Sequence, residues 1–279
     1  MGDTTGDLLN KLREADRERY LSVLFAPEDK RDALATLYLF NAETARLRDI
    51  VSEPLPGEIR LQWWREVIDG DRAEEAGQHP VAAPLLETIR RYDLPVAAFD
   101  NLLEARIFDL YDDPMPSRTD LEGYLGETAS ALIQMACQIL NGGAAPPTAD
   151  AAGHAGVAYG VANLIRQMPA HRARGQVYLP ADLLAAAGTD ASHWLAEDDD
   201  PAFATAVSAF VALGRDHLAR ADRALADVPK SLRSPFAVLG VARAVFARAE
   251  KAGGRARTTP VALSPVTVQW AMTRRALGF

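Results

Sequence analysis

Residues 148 to 168, TADAAGHAGVAYGVANLIRQM, carry almost nothing but small and apolar side chains between Asp150 and Arg166. A helix that is apolar on every side cannot lie on a surface, so this stretch predicts a central helix wrapped by others. Gly153, Gly156, Gly160 and Ala162 either let neighbouring helices approach closely or leave room for a bound chain. The second option predicts an elongated apolar pocket, with Asn163, Arg166 and Tyr178 near its polar mouth.

The rest of the chain supplies the wrapping. Residues 27 to 51 start at Pro27 and space Leu34, Leu37, Tyr38, Leu47 and Val51 as one helix face. A second helix is expected over 57–70, after the breaker Pro54-Leu55-Pro56-Gly57. Two more are hinged at Pro95, and one over 119–140 has a Thr119/Asp120 cap and a stop at Asn141-Gly142-Gly143. Segments 203–228 and 234–252 and a short helix from Ser264 complete the series. Strand signal is confined to Gln176–Leu179. With no repeat and no long linker, the expectation is a single all-α domain over residues 1–279.

Composition narrows the partners. The chain has 279 residues and a net charge of −8, which disfavours nucleic acid. Residues 230 to 279 hold nine Lys or Arg against Glu250 alone, leaving −16 on the remainder. Such asymmetry suggests a polar partner for the basic end, such as an anionic membrane surface. In the last helix Val266, Trp270 and Leu277 can share an apolar side beside Arg274 and Arg275. The single cysteine, Cys137, excludes an internal disulfide and reads as inert packing. No uncharged run is long enough to span a membrane, and residues 1–20 lack the apolar core of a signal peptide. The expected location is cytoplasmic, or peripheral on the inner face of the membrane.

Two stretches could carry chemistry, LYLFNAETARLRDIVSEP and NLIRQMPAHRARGQVYLP. Together with EARIFDLYDDPMPSRTDLEGYLGETASAL they resemble the squalene/phytoene synthase family, all-α enzymes that join two prenyl diphosphates head to head. In the second stretch the match rests on Asn163, Arg166, Arg174, Gly175, Tyr178, Leu179 and Pro180. The resemblance implies the helical isoprenoid-synthase fold with a central cavity. It also implies two Asp-rich motifs holding Mg²⁺ and diphosphate, their carboxylates four residues apart on one helix face. Here those motifs read Ala45-Arg46-Leu47-Arg48-Asp49 and Gln167-Met168-Pro169-Ala170-His171, so only Asp49 keeps a carboxylate. Asp49 closely follows Arg46 and Arg48, and Pro169 is expected to end or kink its helix. No catalytic residue, metal ligand or cofactor is therefore expected; Mg²⁺ belongs only to the enzyme alternative.

FNAETARLRDIVSEPLPGEIRLQWWREVI resembles a branch of this superfamily that includes the mitochondrial complex I assembly factor 6 proteins. Asn41, Glu43, Ser52, Glu53, Arg60, Gln62, Trp63 and Trp64 carry that likeness. It implies a role in assembling respiratory NADH dehydrogenase, with a subunit or assembly intermediate as partner. Arg60, Gln62, Trp63 and Trp64 are the expected partner contacts. Asp49, Arg46, Asn163, Arg166, Arg174 and Tyr178 are the expected remnant of the diphosphate site, with an isoprenoid or lipid as ligand. One alternative is an active prenyl transferase clamping diphosphate with Arg46, Arg48, Arg166, Arg172 and Arg174. Another is a peripheral lipid-binding protein without enzyme activity.

Bland roles compete for several of these residues. Asp49 with Arg46 and Glu53 could be a solvated ion-pair set. Asn163 and Arg166, on a helix too apolar to be a surface, face a cavity or pair inside, and His171 reads as a loop residue. Asp112 and Asp113 read as a helix-ending turn, while Asp109 faces inward. Adjacent tryptophans on a helix point to different sides, so one of Trp63 and Trp64 should be core and the other rim.

Overall fold

The computed structural model describes residues 4–196 and 199–278. In chain order its α-helices are α1 (Thr4–Ala15), α2 (Arg17–Leu24), α3 (Arg31–Ala45), α4 (Leu47–Ile50), α5 (Pro54–Asp69), α6 (Ala73–Gln78), α7 (Ala82–Tyr92) and α8 (Val96–Ile107). They continue with α9 (Arg118–Leu125), α10 (Ala131–Leu140), α11 (Ala149–Ala173), α12 (Ala181–Ala186), α13 (Ala191–Leu195), α14 (Pro201–Ala224), α15 (Leu239–Ala252) and α16 (Pro265–Leu277). No strand occurs among the described residues. The expected extended piece at Gln176–Leu179 is instead an irregular segment, in which Val177 accepts a backbone hydrogen bond from Met115.

Two compact units emerge, each assembled from three sequence segments. The first comprises residues 1–111, 131–149 and 227–236. Its core gathers Leu34, Leu37, Tyr38 and Phe40 of α3 with Leu61 and Trp64 of α5, Leu85 of α7, Phe99 of α8 and Leu132 of α10. Phe40 is the hub, its ring edge-on to Trp64 at 5.0 Å and to Phe99 at 5.4 Å. Cys137 is fully buried here, and burial pushes its thiol up to about 12, which suits packing rather than reactivity.

The second unit comprises 112–130, 150–226 and 237–279. At its centre, α11 buries nearly every residue from Ala151 to Met168. Its glycines are used for close approach. A Cβ on Gly156 would lie 2.3 Å from the backbone nitrogen of Ser130, and one on Gly160 would strike the Leu125 side chain. Ser130 reaches this position because Gly126–Ser130 forms a π-helical turn between α9 and α10. Its hydroxyl then donates to the Gly153 carbonyl at 2.8 Å. Close packing thus accounts for Gly156 and Gly160, and they give no support to the room expected for a bound chain.

Local signals moved several boundaries. Ser117, not the Thr119/Asp120 pair, caps α9 by accepting from the Asp120 amide. Pro54 opens α5 at its first turn, where a missing N–H costs nothing, so the Pro54–Gly57 stretch is helix rather than breaker. Pro169 sits inside α11, which runs on to Ala173 and ends where Gly175 turns left-handed at φ +78°. Proline forfeits one intrahelical bond there, while burial of Met168 and His171 on either side holds the last turns in place.

Candidate functional site

The two remnant motifs belong to different units, and each has its own local structure. In the first, the helix expected over 27–51 breaks. α3 stops at Ala45, Arg46 takes φ −93° and ψ 1°, and α4 restarts at Leu47. Ala45 and Asp49, four residues apart, therefore sit on separate helices, and Asp49 is exposed. The Arg46 carbonyl accepts from the Asp49 amide at 3.0 Å, and the Arg46 side chain is exposed. In the second motif, Gln167 is exposed while His171 is buried at the end of α11, its ring 4.5 Å from that of Tyr178. His171 is thus helical and packed, not a loop residue.

Around the second motif the polar side chains are engaged. Arg166 donates to the Asn163 side-chain oxygen at 3.3 Å, and both are half-buried. Arg172 donates to the Ala196 carbonyl. Tyr178 is buried, with Tyr124 6.1 Å away on its other side, and Arg174 is half-buried. A small cavity of about 10 Å³, no larger than one water, lies between Met168, His171, Gln176, Tyr178, Trp194 and Phe210. No group of three or more His, Cys, Asp or Glu side chains suited to a metal ion occurs among the described residues. The donor set at the four motif positions is one carboxylate, one amide, one buried imidazole and a methyl group. That set does not fit a Mg²⁺–diphosphate cluster, which needs several hard oxygen ligands.

The open pocket of the first unit is different. It has a volume of about 400 Å³ and is lined by Glu43, Arg46, Leu47, Ile50, Arg60, Trp63, Trp64 and His79. Its aromatic wall is fixed from behind. Trp64 is core, stacked edge-on against Phe40, while Trp63 is half-buried and donates its indole N–H to Glu75 at 2.8 Å. Glu75 is held in turn by Arg72, which also grips Glu66. The His79 ring packs tilted against Trp63 and edge-on against Trp64, with centroids 5.1 and 5.3 Å apart. Its Nδ1 accepts from the amides of Val81 and Ala82, so the ring proton resides on Nε2, facing Glu43 at 3.7 Å. Burial raises the Glu43 carboxyl to about 7, partly offset by the charge of Arg46. Burial also lowers His79.

This pocket brings together Glu43, Arg46, Arg60, Trp63 and Trp64 among the residues singled out by sequence. Gln62 stays outside, exposed and bonded to Glu66 at 3.1 Å. Asn41 has a structural role: Arg106 bridges its side-chain oxygen, at 3.2 Å, and the Asp109 carboxylate, at 3.0 Å, with all three largely buried. Asp109 does face inward, and its partner is an arginine. Sequence reasoning missed His79 and Arg106. The Gln78-His79-Pro80 turn gave the only local signal for His79, and nothing within reach in the sequence ties Arg106 to Asn41.

Comparison with known proteins agrees with this architecture. Complex I assembly factor 6 of Bos taurus is 32% identical over 193 residues, which make up 69% of this chain and 57% of that protein. The Homo sapiens counterpart is 31% identical over the same shares. The chain thus spans little more than half the length of these relatives. Among solved structures, squalene synthase HpnC from Alicyclobacillus acidocaldarius superposes with a TM-score of 0.76 at 18% identity, over 90% of this chain and 94% of that one, a likeness of fold. The profile of the squalene/phytoene synthase family matches residues 12–270, and with all-α architecture throughout the described residues, the chain belongs to that family.

Proposed function

We propose that this protein is a non-catalytic member of the squalene/phytoene synthase family that serves in the assembly of respiratory complex I. The observation that carries the first half is the loss of carboxylates at three of the four metal-ligand positions, Ala45, Gln167 and His171. The second half is supported by the relatives named complex I assembly factor 6. A prenyl transferase with an arginine clamp is less well supported, because Arg166 and Arg172 already donate to Asn163 and Ala196. Incubation with Mg²⁺ or Mn²⁺ and farnesyl or geranylgeranyl diphosphate should yield no C30 or C40 product. Turnover that disappears in Asp49→Ala would contradict the reading. The same proposal has the fold keep an isoprenoid or lipid ligand, visible as an adduct in native mass spectrometry of protein purified without delipidation.

A second reading, peripheral membrane binding, is favoured by α16. Val268 and Met272 bury one side of this helix, and the backbone at Ala271 packs against Gly240. Val266, Trp270 and Leu277 project from the opposite side, 77%, 65% and 60% exposed, with Arg274 beside them. An apolar stripe with tryptophan and a flanking cation suits a lipid interface. No described helix is long and apolar enough to cross a membrane. Co-sedimentation with anionic liposomes should fall with salt and with Trp270→Ala; binding indifferent to both means the helix only packs.

A further inference from the structure

Besides burying Leu61, Trp64, Val67 and Ile68, helix α5 presents a second apolar stripe. Leu55, Ile59 and Trp63 recur every four residues, so they share one side of the helix. Leu55 and Ile59 are 65% and 61% exposed, and Ile50 of α4, on the pocket wall, is 50% exposed. Side chains of this size normally retreat from water, and a contiguous exposed set marks an interaction surface. The stripe is about 12 Å long, two turns of helix, and it ends at the rigid Trp63/Trp64/His79 wall. A wall already immobilised by Glu75 and Phe40 loses little entropy when a partner docks, which is the condition for an interface hot spot.

Two arginines and one carboxyl share the pocket: Arg46 and Arg60 are exposed and neither has a side-chain hydrogen bond or salt bridge among the described residues, while the charge of Arg46 acts on the Glu43 carboxyl. Other arginines of this unit hold carboxylates, as Arg65 does Glu104 and Arg72 does Glu66. Two exposed guanidiniums without a salt bridge beside an apolar groove complement carboxylates set beside apolar side chains. An anionic bilayer is the weaker fit for this face, because residues 1 to 229 carry a net −16 and would be repelled.

The geometry points to a docking site for an amphipathic helix of a protein partner. Its apolar side chains, spaced four residues apart, would lie along Leu55, Ile59 and Trp63, with one entering the pocket. An Asp or Glu about one turn away would meet Arg46 and Arg60. This rests on the assembly-factor reading and specifies the kind of segment such a partner offers.

The test is selection of a displayed library of random 16-residue peptides on the full chain, followed by affinity measurement with the recovered peptides. Enriched sequences should pair apolar residues at i, i+4 with an acidic residue, and bind saturably. Ile59→Asp, an exposed position that leaves the core alone, should weaken them at least tenfold while far-UV circular dichroism is unchanged. Arg60→Glu should shift enrichment from acidic to basic peptides. The proposal is overturned if nothing enriches, if enriched peptides lack acidic residues, or if both variants bind them as the parent does. It is also overturned if the Ile59→Asp change abolishes binding to phosphatidylglycerol vesicles or self-association instead. Because this assay is run on purified protein, it can fail while the cellular assembly role holds, and the reverse.

Discussion

Gly156→Ala and Gly153→Ala, two single-methyl changes one turn apart on α11, should have opposite signs. Alanine is favoured over glycine inside a helix by about 0.5–1 kcal/mol, so each substitution starts with that gain. At Gly153 a Cβ meets no atom within 4 Å, and the gain stands. At Gly156 it would lie 2.2 to 2.4 Å from the hydroxyl, amide nitrogen and Cα of Ser130, where two of the three are backbone and cannot rotate away. Relief requires α11 and the π-turn to separate by roughly an ångström, and overpacking of this kind costs about 1–3 kcal/mol or more. The shift also threatens the hydrogen bond from Ser130 to Gly153, about another 1 kcal/mol. Set against the helix gain, Gly156→Ala should come out destabilising by about 2 kcal/mol, and Gly153→Ala stabilising by about half that. Urea midpoints followed by circular dichroism decide it. If Gly156→Ala stabilises as much as Gly153→Ala, the glycines leave room instead of permitting contact, and the packing account of α11 is wrong.

Two further outcomes follow from buried charge. Asp109→Ala strips Arg106 of its carboxylate in a largely buried site and should cost about 3–5 kcal/mol, seen as a large drop in the melting temperature, whereas exposed Asp113→Ala should be silent. Glu43 has a folded pKa of about 7, above its unfolded value. Its contribution is fully favourable below the unfolded carboxylate range and is lost as pH rises through 7. Glu43→Gln should therefore stabilise the protein at pH 8 relative to pH 5, by about 1 kcal/mol once solvent screening of this half-exposed group is allowed for. Equal effects of the substitution at the two pH values would show that the carboxyl is not perturbed.

The parts of the fold that follow from periodicity were legible in the sequence. The burial of α11 came from its lack of any polar side, and the division of Trp63 and Trp64 into rim and core came from the 100° step between neighbours on a helix. What was not legible depends on partners distant in sequence. The break at Arg46 has no glycine or proline to announce it. Pro54 looked like a breaker because proline ends a helix and also begins one, and only the neighbouring structure decides which. Pro169 was expected to end or kink α11, yet the helix runs on to Ala173, where buried residues on both sides outweigh one missing hydrogen bond. The pocket needs His79, sixteen residues from Trp63 on the far side of α6, and Asn41 needs Arg106; neither spacing has a pattern to read.

The central claim is that this fold now works through a docking face and not through a metal-bound diphosphate. It is tested most directly by measuring assembled NADH dehydrogenase in host membranes after deletion of the protein and complementation with variants. The account predicts that deletion lowers the assembled complex while squalene, hopanoid and carotenoid levels hold. Parent chain and Asp49→Ala should restore it, and Ile59→Asp and Trp63→Ala should not. Restoration by both docking-face variants, with Asp49→Ala as defective as the deletion, would contradict the account and return the protein to the metal-dependent enzymes.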